Sequence, residues 1–431
     1  MTRSVILSVC LVLLIAVISM VTSPAVAQLT PTPAGAATVQ PAFFPSITQR
    51  AACQAASNQP WTLYQPKWLA RRGVTLGGWI EQGVTLNGHD PGDDFNGPNA
   101  TNDWADNYQL NQFWLYFHKQ ADGSCGLGWG GHVDVIFGSD SRFGTNYGLE
   151  TKINAPGNHY GLALPQFYAE VAFGKLSAKF GHFAGILDYE VVPAPQNPFY
   201  SHSYGYSYTV PQLVTGVMTE YKATETITLQ AGFTRGWMMF EDINDKLDFM
   251  GGVKWALPND FLSVAWAMSI GPQDPAGLHD TWANSFVVQA QMTGCLRTVT
   301  VFNPGITYGG ASRGTADAKW YGLTQYFMYK LTEQVDLNLR AEWLGDKDGS
   351  RVVGLGTALP GYYGWQGAGF AGDFYEITIG MKLKPRPNHV IRPELRWDWY
   401  DGGAGMGGRL PYNDGSRDSQ FTAAVDWIMT F

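Results

Sequence analysis

The sequence predicts an all-β fold, a transmembrane antiparallel up-and-down β-barrel of about sixteen strands. Three observations lead to this prediction: an alternating strand that ends on Phe431, many strand-length alternating segments, and short links that alternate with long ones. Only 15% of residues are charged, whereas the chain holds 51 Gly, 16 Trp, 21 Tyr and 23 Phe. Soluble domains are typically about 25% charged, so this composition favours strands that face lipid.

The C-terminal strand carries apolar side chains at every second position. They are Phe421, Ala423, Val425, Trp427, Met429 and Phe431. Alternation with period two places them on one face, and the other face is mostly polar, with Ile428 as the large apolar exception. Such a strand would aggregate at an open edge, whereas a membrane barrel pairs it with its first strand. The terminal Phe431 also resembles the signal that the bacterial barrel-assembly machinery reads, which makes that machinery a predicted partner.

Residues 1–27 have the pattern of a secretory signal peptide. Arg3 precedes an apolar run from Val5 to Met20, and a small-x-small cleavage site ends at Ala27. A retained helical anchor is the less favoured alternative because the run is short for a span. Residues 28–72 are rich in Pro, Ala, Thr and Gln and are predicted to be a periplasmic leader, followed by the barrel at 73–431.

Sixteen alternating segments are predicted to be strands. They lie near 74–87, 108–119, 126–137, 164–173, 176–183, 213–222, 227–236, 248–257, 261–271, 285–293, 296–308, 320–331, 335–344, 374–383, 389–399 and 419–431. Most are long enough to cross a bilayer when tilted. The eleventh contains Pro304, which has no N–H to donate, so barrels of fourteen or eighteen strands remain alternatives.

Short links alternate with long ones along the predicted strands. Residues 174–175 make a short link, whereas 88–107, 184–212 and 345–373 are long. Short periplasmic turns and long outer loops are typical of outer-membrane barrels. A soluble β-sandwich with one solvated face is the alternative, but it does not explain this asymmetry or the terminal Phe.

Charged residues share one face of their strands and are predicted to point into the lumen. A charge on the lipid face at mid-bilayer costs about 2–4 kcal/mol, so the polar face must be the inner one. The predicted lumen-facing residues are Glu81, Glu170, Asp336, Arg340, Glu342, Arg392, Glu394, Arg396 and Asp398.

The formal net charge is −8, and loss of Arg3 with the signal peptide makes it −9. This balance argues against nucleic acid as a partner, since nucleic-acid binding needs a basic surface. If the acids line a pore, it weakly favours cations. The chain after residue 27 has Cys53, Cys125 and Cys295 without a Cys-x-x-Cys motif, so no structural zinc is predicted, and a disulfide between the leader and a periplasmic turn is one alternative. No cofactor is predicted, because diffusion through a pore needs no chemical step.

Several stretches of the barrel region resemble the putative β-barrel porin-2 (OmpL-like) family. The resemblance rests on Gly77-Gly78-Trp79-Ile80-Glu81-Gln82-Gly83, on Tyr160 to Glu170, on Gly181-His182-Phe183 and on Tyr189-Glu190-Val191-Val192-Pro193-Ala194-Pro195. It covers nearly the whole predicted barrel. It implies an outer-membrane pore surrounded by lipid, but it implies no defined solute and no catalytic set.

The third long link, 184–212, is the candidate pore constriction, because the loop at this place narrows sixteen-strand porins. Proline restricts its backbone and tyrosine supplies stiff amphipathic surface. The predicted constriction residues are Asp188, Glu190, Tyr200, His202, Tyr204, Tyr206 and Tyr208, with the acids facing arginines of the opposite wall. The alternative is an exposed aromatic loop that packs on neighbouring loops or on another subunit.

The predicted function is passive diffusion of small hydrophilic solutes or ions with weak cation preference. A plugged structural or adhesive barrel and a carbohydrate-selective channel are the alternatives, and a homo-oligomer is left open. No enzyme is predicted, because the G-x-G-x-x-G pattern at 126–131 is not followed by a helix, and Ser201-His202-Ser203 has no orienting third group. The aspartates of 90–106 lack EF-hand spacing and are read as a solvated acidic loop.

Overall fold

The computed structural model describes residues 60–155, 157–259, 261–310, 316–352 and 369–431. The predicted signal peptide, most of the predicted leader and Cys53 lie outside the described residues.

Sixteen antiparallel strands form a closed barrel in this part of the chain. They are β1 Thr75–Asn87, β2 Tyr108–Lys119, β3 Leu127–Gly138, β4 in the two segments Gly161–Ala163 and Phe167–Phe173, β5 Leu176–Ala184, β6 Leu213–Lys222, β7 Ile227–Trp237, β8 Asp248–Ala256, β9 Leu262–Pro272, β10 Asp280–Gln291, β11 Leu296–Thr307, β12 Ala318–Lys330, β13 Val335–Asp346, β14 Gly372–Arg386, β15 His389–Gly402 and β16 Ser419–Thr430. Each strand pairs with the next, and β1 pairs with β16 from Trp79 opposite Thr430 to Asn87 opposite Thr422. The predicted fold class is confirmed.

The largest differences from the predicted strand bounds are in β10 and β4, and the pairing explains both. The β10 strand begins at Asp280 rather than at Ser285, since Trp282 pairs with Ile270 on one side and Ile306 on the other. Only one large apolar residue occurs in this first stretch, so the sequence pattern there is that of a loop. The β4 strand is interrupted around Pro165, and there the Asp134 N–H donates to the Gln166 carbonyl. Pro304, in contrast, stays within β11 opposite Tyr321.

Helical structure is confined to short pieces between strands. The helices are α1 Lys67–Ala70, α2 Glu150–Ile153 and α3 Tyr204–Thr209, with 3₁₀ turns at Ser139–Arg142, Ala194–Gln196 and Met406–Gly408. Among the described residues, no helix has the length and apolar character needed to cross a membrane.

The two faces of β16 show the alternation clearly. Phe421 and Trp427 are 48% and 37% exposed on the outer face, whereas Gln420, Thr422 and Asp426 are buried inside the barrel. Ile428, the apolar exception in the sequence pattern, is fully buried. It lies in an inner apolar cluster with Trp79, Trp114, Ile136, Ala163 and Ala194.

Phe431 ends the chain in direct contact with the first strand. Its N–H donates to the Gly78 carbonyl at 2.9 Å, the Gly78 N–H donates back at 3.0 Å, and its ring lies edge-on to Trp61 at 6.1 Å.

The Phe431→Ala variant keeps both backbone hydrogen bonds and removes the ring. If the ring is the assembly signal, we expect several-fold less heat-modifiable barrel in cells but a native refolding yield in lipid vesicles, with Phe431→Tyr as the matched control. Equal amounts of native and Phe431→Ala barrel in cells would contradict this.

Candidate functional site

Residues 185–212, the inner segment, cross the interior of the barrel between β5 and β6. The Asp188 N–H donates to Ser285 Oγ of β10 at 2.9 Å. The Tyr200 hydroxyl donates to Asn111 Oδ1 of β2 at 2.8 Å, and Arg392 Nη1 of β15 donates to the Ala194 carbonyl at 3.0 Å. Strand β10 lies eight strands from β2 and five strands from β15 around the barrel, so the segment spans the enclosed space.

Local sequence features fix the path of the inner segment. Asp188 has a φ of +76°, a conformation that Asp tolerates, and its carboxylate accepts hydrogen bonds from the Tyr189 and Glu190 N–H groups. Pro193 precedes the 3₁₀ turn at Ala194–Gln196. Ser203 caps α3 by accepting a hydrogen bond from the Tyr206 N–H at 3.1 Å.

Arg340 of β13 joins the inner segment to the barrel wall. Its guanidinium contacts Glu190 of the segment at 3.0 Å and Glu376 of β14 at 2.9 Å. It also donates to the Ser201 carbonyl at 2.7 Å. Because Arg340 is 0% exposed, its charge depends on these partners for stabilisation.

Two further arginines of β15 bind carbonyl groups of the same segment. Arg392 pairs with Asp426 at 2.6 Å and Glu81 at 2.7 Å while donating to the Ala194 and Asn197 carbonyls. Arg396 pairs with Asp398 at 2.8 Å and donates to the His202 carbonyl at 2.7 Å. Each arginine therefore combines a carboxylate of the wall with a carbonyl of the segment.

Carboxylates of the wall bind the N–H groups of the same stretch. Glu394 accepts hydrogen bonds from the N–H groups of Tyr200 and Ser201 at 2.9 and 3.1 Å. Glu342 accepts from those of Tyr204 and Gly205 at 2.7 and 2.6 Å. The wall thus supplies acceptors for the N–H groups and donors for the carbonyls, which satisfies this buried irregular backbone as a strand ladder would.

The opposite side of the inner segment is apolar. Ile186, Leu187, Tyr189, Tyr206 and Val210 pack in one buried cluster with inner residues of β6 to β12. The strand residues include Val214, Met218, Met250, Ala265, Ala283, Val287, Val299, Val301 and Trp320. The segment therefore contacts the charged wall with one side and the apolar wall with the other.

The aromatic candidates are buried among these contacts. The Tyr204 hydroxyl donates to Asp398 Oδ1 at 2.7 Å, and the Tyr208 hydroxyl donates to the Pro98 carbonyl at 2.7 Å. The His202 ring stacks on Tyr206 at 4.9 Å, and its Nδ1 lies 2.7 Å from Glu190. All seven predicted constriction residues are thus less than a tenth exposed.

The two acids of the inner segment have different electrostatic surroundings. Burial by itself would raise the pKa of Glu190, but its interactions with Arg340 and His202 outweigh burial and lower that pKa to about 2. Burial raises the pKa of Asp188 to about 6, and the negative charge of Glu190 adds to the rise. Glu190 therefore stays ionised at neutral pH, whereas Asp188 titrates in the mildly acidic range.

Asp188 should make stability depend on pH. Its folded-state pKa lies above the ordinary 3.8, so the folded protein binds the proton first, and the free energy of unfolding should fall as pH rises from about 4 to about 6. Asp188→Asn removes this titration and keeps an oxygen acceptor for the Tyr189 and Glu190 N–H groups. We expect the variant to unfold at a higher temperature than the native chain at pH 7 and at nearly the same temperature at pH 4.

Thermal loss of the heat-modifiable band, followed between pH 4 and pH 8, measures this difference. Asp274→Asn is the matched control, because Asp274 also lies in a link and accepts backbone N–H groups from Ala276 and Leu278. A native pH profile in the Asp188→Asn variant would contradict the assignment.

The predicted lumen-facing residues fall into two groups. Seven of them, Glu81, Arg340, Glu342, Arg392, Glu394, Arg396 and Asp398, are buried around the inner segment. Asp336 instead pairs with Lys384 at 2.9 Å near the end of the barrel that carries the short links, and Glu170 is half-buried on β4. The structure therefore does not bring Asp336 and Glu170 to the segment.

Several residues of this site were missed in the sequence. Glu376 and Asp426 pair with arginines and were detectable, since both alternate with outward apolar residues. Asn303 bonds to Asp188, and Tyr326 donates to Glu190 at 2.8 Å. Arg351 lies in the link after β13 and donates from Nε to the Tyr208 carbonyl at 2.8 Å. No strand pattern in that link indicates which way the Arg351 side chain points.

The described residues test the predictions about metal ligands and disulfides only in part. No group of three potential metal ligands occurs within the described ranges. In the first long loop, Asp103 pairs with Arg142 at 2.8 Å. Cys125 and Cys295 are exposed and do not pair with each other. The predicted disulfide with Cys53 stays a prediction, since Cys53 lies outside the described residues.

Sequence comparison identifies one family. A family model described as "Putative beta-barrel porin-2, OmpL-like" matches residues 73–431. No curated protein matches the sequence.

The fold is similar to those of solved outer-membrane proteins. The outer membrane channel DcaP of Acinetobacter baumannii is 11% identical with a TM-score of 0.52, and the match covers 83% of this chain and 97% of that chain. The anion-selective porin from Comamonas acidovorans is 12% identical with a TM-score of 0.54, covering 83% and 99%. OmpT of Vibrio cholerae in its trimer form is 9% identical with a TM-score of 0.50, covering 83% and 99%. At these identities the similarity is one of fold.

Proposed function

The chain belongs to the family described as putative beta-barrel porin-2, OmpL-like, and we propose that it passes small hydrophilic solutes or ions by passive diffusion with a weak preference for cations. It is a β-barrel of the bacterial outer membrane. The proposal assigns it no cofactor and no chemical step, since selectivity in a pore arises from its width and lining charge.

The observation that carries the proposal is the position of the inner segment within the barrel. Arginines of the wall, Arg340, Arg392 and Arg396, donate to backbone carbonyls within residues 194–205. Two glutamates of the wall, Glu342 and Glu394, accept from backbone N–H groups of the same residues. A segment fixed in this way narrows the enclosed space at one level. We propose that the passage left beside it sets which solutes cross.

The proposed cation preference rests on the balance of charge around the inner segment. The positive charges are the guanidinium groups of Arg340, Arg351, Arg392 and Arg396 and the ammonium group of Lys382, which donates to the Pro195 carbonyl at 3.1 Å. The carboxylates in contact with the segment or with these arginines are Glu81, Glu190, Glu342, Glu376, Glu394, Asp398 and Asp426. Carboxylates outnumber cations in this cluster, and a pore lined by such a field attracts cations.

A plugged structural barrel is the second candidate, favoured by how fully the inner charges are buried. Arg340, Arg392 and Arg396 are 0%, 1% and 1% exposed, whereas arginines along a wide water-filled lumen would be accessible. The same burial argues against the carbohydrate alternative, because the rings of Tyr200, Tyr204 and Tyr208 are packed against protein and offer no free face for a sugar.

Recording from planar bilayers separates the two candidates. The refolded chain is inserted with KCl on both sides and then under a salt gradient. Small ohmic single-channel steps, with a reversal potential whose sign shows that cations cross more readily than anions, would support the proposed function. Silence from a correctly folded, heat-modifiable barrel would overturn it in favour of the plugged barrel.

We also propose that the chain assembles with copies of itself. The support is the related fold of OmpT of Vibrio cholerae, which is described in a trimer form. Cross-linking of the barrel in native membranes tests this, and a monomer alone would contradict it.

A further inference from the structure

A groove of about 490 Å³ lies beside the periplasmic ends of β1, β2 and β3. Its lining includes Arg72, Val74, Phe117, Lys119, Trp129 and Val133. The β2 strand ends at Lys119 and β3 begins at Leu127, so the short link 120–126 marks this end of the barrel as periplasmic.

The apolar part of the groove faces outwards, where lipid surrounds a membrane barrel. Phe117 and Val133 are directly opposite each other in the β2–β3 pairing, and each is 41% exposed. Trp129 lies on the same face and is 68% exposed. Two neighbouring outward positions thus present continuous apolar surface, and a tryptophan occupies the level where aromatic rings of barrels meet lipid headgroups.

Two cations line the same groove without an acidic partner. Lys119 Nζ lies 3.0 Å from the centre of the Trp129 ring, and the Arg72 guanidinium lies 5.7 Å from the Trp68 ring. No carboxylate of the described residues forms an ion pair with either one. Long basic side chains at a membrane border place their stems on apolar surface and their charges at headgroup level.

We propose that this groove binds the phosphodiester headgroup of an anionic phospholipid of the inner leaflet. Arg72 and Lys119 contact the phosphate, and an acyl chain lies along Phe117 and Val133. The outward apolar surface of Phe117 and Val133 distinguishes a phospholipid from a free anion, since a free anion gains no binding free energy from contact with apolar side chains. The site depends on the barrel being in the membrane and not on whether the lumen conducts.

Binding of phosphatidylglycerol to the full chain in detergent, followed by native mass spectrometry, tests the proposal. We expect the double variant Arg72→Ala/Lys119→Ala to bind this lipid about tenfold more weakly than the native chain, the loss expected when a phosphate loses its charged contacts. Lys175→Ala/Lys222→Ala is the matched control, because it removes two cations from the same end of the barrel and should bind like the native chain.

Two results would overturn the proposal: equal binding by the double variant and the native chain, or full displacement of the lipid by inorganic phosphate. Arg72 precedes β1, so Arg72→Ala alone keeps the test valid if the double variant does not fold. That single variant should also bind more weakly than the control, and native-level binding by it would count against the site.

Discussion

Replacing residues 196–208 with a Gly/Ser linker of equal length is expected to raise single-channel conductance several-fold. The replacement removes the side chains of Tyr200, Tyr204, Tyr206 and Tyr208, all buried inside the barrel, and keeps the reach of the segment between β5 and β6. Water then fills the space that the four rings occupied. Recording in planar bilayers measures the change.

The matched control replaces residues 403–408 in the link between β15 and β16 in the same way. These residues lie in an outer link, and the replacement should leave conductance unchanged. If the 196–208 replacement also conducts like the native chain, the inner segment does not limit the passage.

Arg340→Met is expected to weaken the attachment of the inner segment to the barrel wall more than any other single substitution. It leaves Glu190 and Glu376 without their shared cation and removes the donors to the Ser201 carbonyl and hydroxyl. Breaking a buried ion pair on one side costs about 3–5 kcal/mol. We expect a lower temperature for loss of the heat-modifiable form and larger, fluctuating currents.

Two further variants separate charge from general damage. Arg386→Met alters an exposed arginine at the end of β14 and should behave like the native chain. Adding Glu190→Gln and Glu376→Gln to Arg340→Met removes the unpaired charges and should recover part of the lost stability. Native stability and native current in Arg340→Met would show that the cluster does not hold the segment.

Much of the barrel could be predicted because its main rule is alternation. The face of a strand residue follows from its position in the pattern, which is why Arg340, Arg392 and Arg396 could be grouped without a structure. The same rule marks Glu376, between Tyr375 and Ile377, as an inward-facing residue. Asp280 lies where the pattern is too weak to show the start of β10.

The pairings inside the barrel could not be predicted in the same way. Arg340 meets Glu376 only because β13 and β14 are neighbours in one register, and it meets Glu190 only because a link folds inwards. The sequence predicted that the acids of the link face arginines of the opposite wall. The structure places Glu190 and Arg340 in contact at 3.0 Å, because two opposite charges that are both buried are stabilised by direct pairing.

The most direct test of the account is whether the inner segment lies against β12 in the membrane. A β-carbon at position 205 would lie 3.5 Å from Thr324 Oγ1, so Gly205→Cys with Thr324→Cys places two thiols within disulfide reach. In a background with the native cysteines replaced by Ser, mild oxidation of native membranes should cross-link this pair in nearly every heat-modifiable barrel. Two free thiols in a folded barrel under the same oxidation would show that the segment lies elsewhere and would contradict the account.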